Sequence, residues 1–186
     1  DPKTIYTHIR KLPPAHTLLL ARGRQPVLRQ YWNVLAAAGT EPRTATAEEL
    51  AERLKQAVRY QMVADVEVGA FLSGGVDSSS VVALMAQIAT SPVSTYSISV
   101  GEENRDETDF ARQVASRYKT KHQLRNVDPA NLTQLLPRLP HIYDEPFGDD
   151  SAIPTFAVCR EAARTLKVCL TGDGGDEALG GYRRYR

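Results

Sequence analysis

FLSGGVDSSS, residues 71–80, runs an apolar segment into Ser-Gly-Gly and then sets one aspartate among serines. The segment that leads into it, VEVGAFL (66–72), is short, β-branched and nearly all apolar, as expected of a strand buried in a parallel sheet. From Ser78 onward Val81, Val82, Met85, Ile88 and Ala89 recur at helical spacing, and the pattern stops before Pro92. The stretch is therefore a strand, a glycine turn and a helix. Gly74 and Gly75 lack a Cβ, so the turn can bend tightly and an anion can approach the main chain. The helix start adds unpaired N–H groups and about half a unit of positive charge. Ser73, Ser78 and Ser79 supply hydroxyl groups. Asp77 would repel a phosphate unless a divalent cation such as Mg²⁺ bridged the two. A simpler alternative is a tight turn in which Asp77 and Ser78 only cap the helix. The Gly-Lys-Ser/Thr ending of a Walker A loop and the G-x-G-x-x-G pattern are both absent, which disfavours a site built for γ-phosphate transfer.

The same alternation continues downstream. VSTYSISV (93–100) and HQLRNV (122–127) read as strands, with a helix over 108–119 between them whose Phe110, Val114 and Tyr118 share a face. A weaker helix over 131–143 is interrupted near Pro137 and Pro140. A further helix over 154–166 precedes KVCL (167–170), a last strand that ends in TGDGGDE. Strands alternating with helices predict an α/β fold: a parallel twisted sheet with helices on both faces and right-handed crossovers. Ligands of such sheets sit beyond the carboxyl ends of the strands, where both glycine-rich turns fall. Upstream, Thr46 and Glu49 fit a capping box opening a helix that carries Leu50, Leu54, Ala57 and Val58. AAAGTEPRTATA (36–47) reads as a linker. Before it, Leu18 to Leu20 suit a strand and Gly23 a turn into a second one, a hairpin too small to stand without another domain. The expected divisions are 1–35, a linker at 36–46, and 47–186.

Two more stretches carry chemistry. YDEPFGDDSAIPT (143–155) concentrates Asp144, Glu145, Asp149 and Asp150, a density that suits a cation or a substrate ammonium, or else a solvated loop capping the next helix. LTGDGGDEALGGYRRY (170–185) offers the main chain of Thr171 and Gly172 to a nucleotide and spaces Asp173 and Asp176 to bring two carboxylates near one centre. Arg183 and Arg184 are planar partners for phosphate or carboxylate, though a plain turn with surface arginines fits the same residues.

SGGVDSS resembles the pyrophosphate-binding loop of the ATP pyrophosphatase, or PP-loop, superfamily, which splits ATP between its α and β phosphates. The three stretches in this order resemble the synthetase domain of glutamine-dependent asparagine synthetases, over roughly residues 46–186. KLPPAH…YW resembles the last strands of that family's N-terminal glutaminase domain, with Ala15 where the usual form LPPGH has glycine. The resemblance implies an adenine nucleotide alpha hydrolase-like fold, preceded by a short β remnant of a glutaminase domain. It also implies roles. Phe71 would line the adenosine pocket; Ser73, Gly74, Gly75, Ser78 and Ser79 would hold pyrophosphate; Val100, Thr171 and Gly172 would meet the nucleotide through main-chain atoms. Asp77 and Asp176 would bind Mg²⁺. Asp173 would take the catalytic place where the best-known members carry a glutamate. Asp144, Glu145 and Arg183 are substrate candidates.

The implied reaction uses ATP and Mg²⁺ to convert aspartate to asparagine through β-aspartyl-AMP, with ammonia from glutamine. A β-lactam synthetase-like or other amide-forming enzyme with a different acid, or a nucleotide-binding fragment without catalysis, are the alternatives. The glutaminase half with its N-terminal cysteine, and the helices beyond GGY that supply a lysine, are missing, so a fragment is expected. A homodimer is left open.

Composition sets outer bounds. The 186 residues are 42% hydrophobic and 24% charged, with a net charge of +1, so nothing marks a surface for nucleic acid or membrane. No apolar run reaches about 18 residues, so no membrane-spanning helix is expected; no signal-peptide pattern opens the chain, and a cytoplasmic location is expected. Cys159 and Cys169 form neither a disulfide framework nor a metal-ligand pair, and both are expected to be buried and reduced. The first residue, Asp1, with no initiator Met, suggests a piece of a longer protein.

Overall fold

The computed structural model describes residues 2–39, 44–100, 105–128, 133–146, 148–149 and 151–185. Asn131, Asp150, part of the linker at 40–43 and the Arg184 side chain lie outside the described residues.

The apolar run predicted as a buried strand is β3 (Val68–Phe71), at the centre of the main sheet. Its partners are β4 (Ser94–Val100), β5 (Lys121–Val127) and β6 (Val168–Leu170), in the order β5-β4-β3-β6. Every pairing is parallel, with Ala70 opposite Thr95, Ser97 opposite Leu124 and Gly69 opposite Cys169. The helices are α2 (Ala47–Gln61), α3 (Val76–Ile88), α4 (Arg105–Arg117), α5 (Leu139–Tyr143), α6 (Ala152–Ala162) and α7 (Gly175–Leu179), with 3₁₀ turns at Leu136–Arg138 and Arg183–Tyr185.

Strand alternation divides the core between two layers. Ala70 and Leu72 point to one face, against Val58 of α2, Val82 and Met85 of α3, and Ala111 and Ala115 of α4. Phe71 and Tyr96 point to the other, against Val158 and Ala162 of α6 and Leu166. Ile98 and Val100 continue that face onto Ala157 and Leu135. The sequence STYSISV is a strand despite its polar alternate positions because they find partners. Thr95 Oγ1 bonds Thr120 Oγ1 at 2.9 Å and His122 Nδ1 at 3.0 Å, and Ser97 Oγ donates to the Leu72 carbonyl. Burial, and then the nearby Arg112, hold the His122 imidazole below the usual histidine range.

Chain order places the site. From β3 the chain adds β4 and then β5 on one side, and it returns to add β6 on the other side of β3. The order reverses between β3 and β6, and the ligand crevice of such sheets is the space beyond the carboxyl ends of the strands at that point.

Several expectations are corrected. Phe110 is 55% exposed, and the buried positions among the described residues of α4 are Thr108, Ala111 and Ala115. This helix approaches the Gly74 turn so closely that only small side chains fit between them. Leu50 and Leu54 are exposed, and α2 reaches the core through Val58 and the half-buried Met62. Cys159 is exposed and Cys169 half-buried; both are free thiols. Helix α6 starts at Ala152, with Pro154 in its first turn, where the missing N–H is harmless. The first three residues of the expected linker, 36–38, are the end of a short helix, α1 (Val34–Ala38). Asn33 caps it through bonds from Leu35 N–H at 2.9 Å and Ala36 N–H at 3.2 Å, and alanine is the best helix former.

The N-terminal hairpin pairs β1 (His16–Leu19) with β2 (Val27–Gln30), and Leu18, Leu19, Val27 and Leu28 are all exposed. Just before it, Ala15 sits at φ 58, and its carbonyl accepts the Tyr31 N–H at 2.9 Å. A left-handed alanine costs about 1–2 kcal/mol, part of which glycine loses again through its freer unfolded chain. Ala15→Gly is therefore expected to stabilise the protein by about 0.5–1 kcal/mol and raise the melting temperature by a few degrees. A lower melting temperature in a thermal scan would show that Ala15 does not hold this conformation.

Candidate functional site

Residues 72–79 build the first wall of the crevice. The Ser78 hydroxyl is the loop's internal brace: it accepts the Ser73 N–H at 3.2 Å, lies 2.9 Å from Ser73 Oγ and donates to the Gly75 carbonyl at 3.2 Å. The Gly75 N–H in turn donates to Ser73 Oγ at 3.3 Å. Gly74 turns the chain at φ 88, and a Cβ there would strike the Glu107 carbonyl of α4. No side chain caps α3, whose helix begins after Gly75, so no side chain takes up the N–H groups of its first turn. Ser78 thus shapes the loop, while Ser73 and Gly75 are exposed along it and Ser79 is half-buried.

The second glycine-rich turn lies against the first. A Cβ on Gly172 would fall 2.7 Å from the Ser78 backbone nitrogen, so the chain after β6 rests on the start of α3. A Cβ on Gly175 would fall 2.5 Å from Asp77 Oδ2. The absence of side chains at both positions lets the second turn lie directly against the Asp77 carboxylate and the helix start. Asp176 follows directly in α7, half-buried, and its carboxylate lies beside Gly181. Gly174 enters α7 at φ 91, and the Gly175 N–H donates to the Gly172 carbonyl at 3.2 Å. Thr171 holds this turn as its Oγ1 accepts the Asp173 N–H at 3.3 Å. The sequence reading named Asp77 and Asp176 but passed over Gly174 and Gly175; their neighbourhood in GDGGDE was the available signal.

Asp173 is exposed on the α6 side of the crevice. Burial first, and the Asp173 charge second, push the Cys159 thiol up. Burial and the neighbouring Cys159 push Cys169 up to about 11, so neither thiol is a ready nucleophile at neutral pH. Phe71 packs into the core beside Tyr96 and Cys169, and Val100 is half-buried at the end of β4. Arg183 is exposed in the last 3₁₀ turn, where Tyr182 OH donates to Glu177 Oε1 at 2.7 Å. Asp144 and Glu145 meet the N-terminal segment, where the Asp144 carbonyl accepts the Tyr6 hydroxyl and the Glu145 carboxylate pairs with Lys11.

Among the described residues no group of three or more His, Cys, Asp or Glu side chains is gathered for a metal. A Mg²⁺ ion carried on phosphates asks for less, namely one or two protein carboxylates with phosphate oxygens and water completing the octahedron. Asp77 beside Gly175 supplies a carboxylate of that kind, and Asp176 one residue further carries a second, beside Gly181. No helix among the described residues is long and apolar enough to cross a membrane.

A parallel sheet with two glycine-rich turns meeting at its switch point is the adenine nucleotide alpha hydrolase-like arrangement. The NMN synthetase of Francisella tularensis superposes on it with a TM-score of 0.54 at 14% identity, over 76% of this chain and 61% of that one. The chain belongs to the asparagine synthase family, whose model matches residues 49–186. It is 36% identical to a Methanocaldococcus jannaschii protein named as a candidate glutamine-hydrolysing asparagine synthetase, over 100% of this chain and 36% of that relative. Asparagine synthetase 1 of Bacillus subtilis, also named as glutamine-hydrolysing, is 28% identical over 100% of this chain and 29% of its own length. The chain thus spans about a third of the length of these relatives.

Proposed function

We propose that this chain is the nucleotide-binding part of an ATP-dependent, amide-forming ligase that converts aspartate to asparagine. The observation that carries the reading is the contact between the two glycine turns, with Asp77 facing Gly175 across the switch point. Membership in the asparagine synthase family supports the acid substrate and the ligase chemistry. Residues 1–35 are proposed as the end of a glutaminase domain, 36–46 as a linker and 47–186 as the synthetase part; the exposed leucines of the hairpin would then lie against the glutaminase half.

In this reading the aspartate side-chain carboxylate attacks the α-phosphorus of ATP, the bond to the β-phosphate oxygen breaks, and pyrophosphate leaves. Ammonia then attacks the activated carbonyl carbon, a proton is lost, and AMP departs with the C–O electron pair. The main-chain amides of Gly74, Gly75 and the first turn of α3, with Ser73 and Ser79, hold the pyrophosphate oxygens. Thr171 and Gly172, with Val100, meet the nucleoside, and Phe71 backs it. Asp77 and Asp176 would hold Mg²⁺, which would supply charge neutralisation at the phosphates. Asp173 is the proposed catalytic base for the ammonia step, and Asp144 and Arg183 the proposed contacts of the acid substrate. Alignment and charge neutralisation of this kind supply several kcal/mol of barrier reduction.

The test is isotope exchange between labelled pyrophosphate and ATP. Exchange that requires both aspartate and Mg²⁺ supports the reading, and its absence with every acid tried overturns it. A second reading keeps the chemistry with another acid, because Asp173 is one methylene shorter than the glutamate expected in its place. Exchange with a different acid but none with aspartate selects it.

A further inference from the structure

Residues 2–11 form a loop closed on itself. Lys3 and Arg10 form an antiparallel bridge, the Lys11 N–H donates to the Pro2 carbonyl at 2.9 Å, and Thr4 Oγ1 donates to the Ile9 carbonyl at 2.8 Å while it accepts the Tyr6 N–H at 3.1 Å. This preformed loop docks on the acidic segment far along the chain. Tyr6 OH donates to the Asp144 carbonyl at 3.0 Å, the Ile5 N–H donates to Glu145 Oε2 at 3.4 Å, and the Lys11 ammonium pairs with Glu145 Oε1. A cavity of about 480 Å³ lies between loop and segment, so the contact rests on these polar links rather than on a packed apolar face. The Lys11 hydrogen bond, aided by the Ile5 amide, holds the Glu145 carboxyl below the usual carboxylate range.

The links fall on an awkward piece of backbone. Asp144 ends α5 in the left-handed region, at φ 61 and ψ −21, and the Glu145 N–H folds back to the Tyr143 carbonyl at 2.7 Å. A non-glycine residue there persists only where its surroundings impose it. Tyr6 binds the carbonyl of that residue, and Lys11 and Ile5 bind the side chain of the next one. We propose that the N-terminal loop positions the acidic segment: Tyr6 and Lys11 hold Asp144 and Glu145 in the turned conformation and thereby set the affinity of the site for its acid substrate. Glu145 is then a positioning residue rather than a substrate contact. The effect on affinity rests on the proposed function, whereas the hold on the backbone does not.

The full chain is compared with Lys11→Met, Tyr6→Phe, the double variant and Lys11→Arg by amide hydrogen exchange and by pyrophosphate–ATP exchange. In Lys11→Met and the double variant, the amides of Tyr143, Asp144 and Glu145 are expected to exchange about tenfold faster or more while the melting temperature stays nearly unchanged. The aspartate KM is expected to rise about tenfold with the ATP KM within about twofold, and Lys11→Arg restores both readouts. Unchanged protection of these amides overturns the proposal, as does an unchanged aspartate KM in variants whose protection is lost. If the unaltered chain supports no aspartate-dependent exchange, the proposed function fails, and hydrogen exchange alone then decides whether the loop positions the segment.

Discussion

Asp77→Asn is expected to lower Mg²⁺-dependent pyrophosphate–ATP exchange by about 10²–10³-fold, a loss of the size seen when one preorganised charge-stabilising group is removed. Asparagine keeps the shape of aspartate and one of its two acceptor oxygens at a half-buried position, so the fold and its melting temperature should be nearly unaltered. What it loses is the charge. Against bare phosphates, removal of a carboxylate would improve binding, because two like charges would no longer face each other. Only a cation held between Asp77 and the phosphates makes the same substitution harmful. The direction of the effect therefore discriminates: a variant that binds nucleotide better, or exchanges at the wild-type rate, removes Asp77 from the binding of the ion.

Gly74→Ala should instead act on the fold. The new methyl group would meet the Glu107 carbonyl, lie 3.0 Å from the Ala111 nitrogen and 3.1 Å from Phe110 Cβ, and sit on a residue at φ 88. Two of those three neighbours are backbone atoms that no rotamer change can move. Left-handed strain of about 1–2 kcal/mol and overpacking of about 1–3 kcal/mol together predict a loss of about 3–4 kcal/mol. For a domain of this size that is a drop of about 10 °C in melting temperature. The neighbouring Gly75→Ala is the control. Gly75 has φ −68, and a Cβ there would touch only Ser73 Oγ at an ordinary 3.4 Å, so the stability change should stay within about 0.5 kcal/mol. Thermal scans that show the two alanines equally tolerated would mean that the turn does not press on α4 as described.

These two glycines show what the sequence makes legible. That residues 71–80 turn from strand to helix is plain from local pattern, because an apolar β-branched run, two glycines and a helical period each have a local physical cause. The division of the remaining strands was legible for the same reason, including β4, where aromatic and β-branched residues outweighed the serines. Which of the two glycines is pinned by its surroundings was not legible, since Glu107 and Ala111 approach from more than thirty positions away. Phe110 was misplaced for a related reason. Helical period alone ranks the large apolar face highest, but α4 is held against a glycine turn and buries its alanines. Asp77 and Asp176 are named as candidates by chemistry, as carboxylates in glycine-rich turns, whereas Gly175 draws notice only through its closeness to Asp77. The docking of Tyr6 and Lys11 onto Asp144 and Glu145 left no trace in local composition, because an ion pair between distant segments has no period.

A calorimetric titration of the chain with pyrophosphate, with and without Mg²⁺, tests most directly whether the crevice between β3 and β6 grips the two departing phosphates. The account predicts saturable one-to-one binding that needs Mg²⁺ and is abolished in Asp77→Asn. Absence of heat in both titrations, or equal affinity with and without the ion and in the variant, would contradict it.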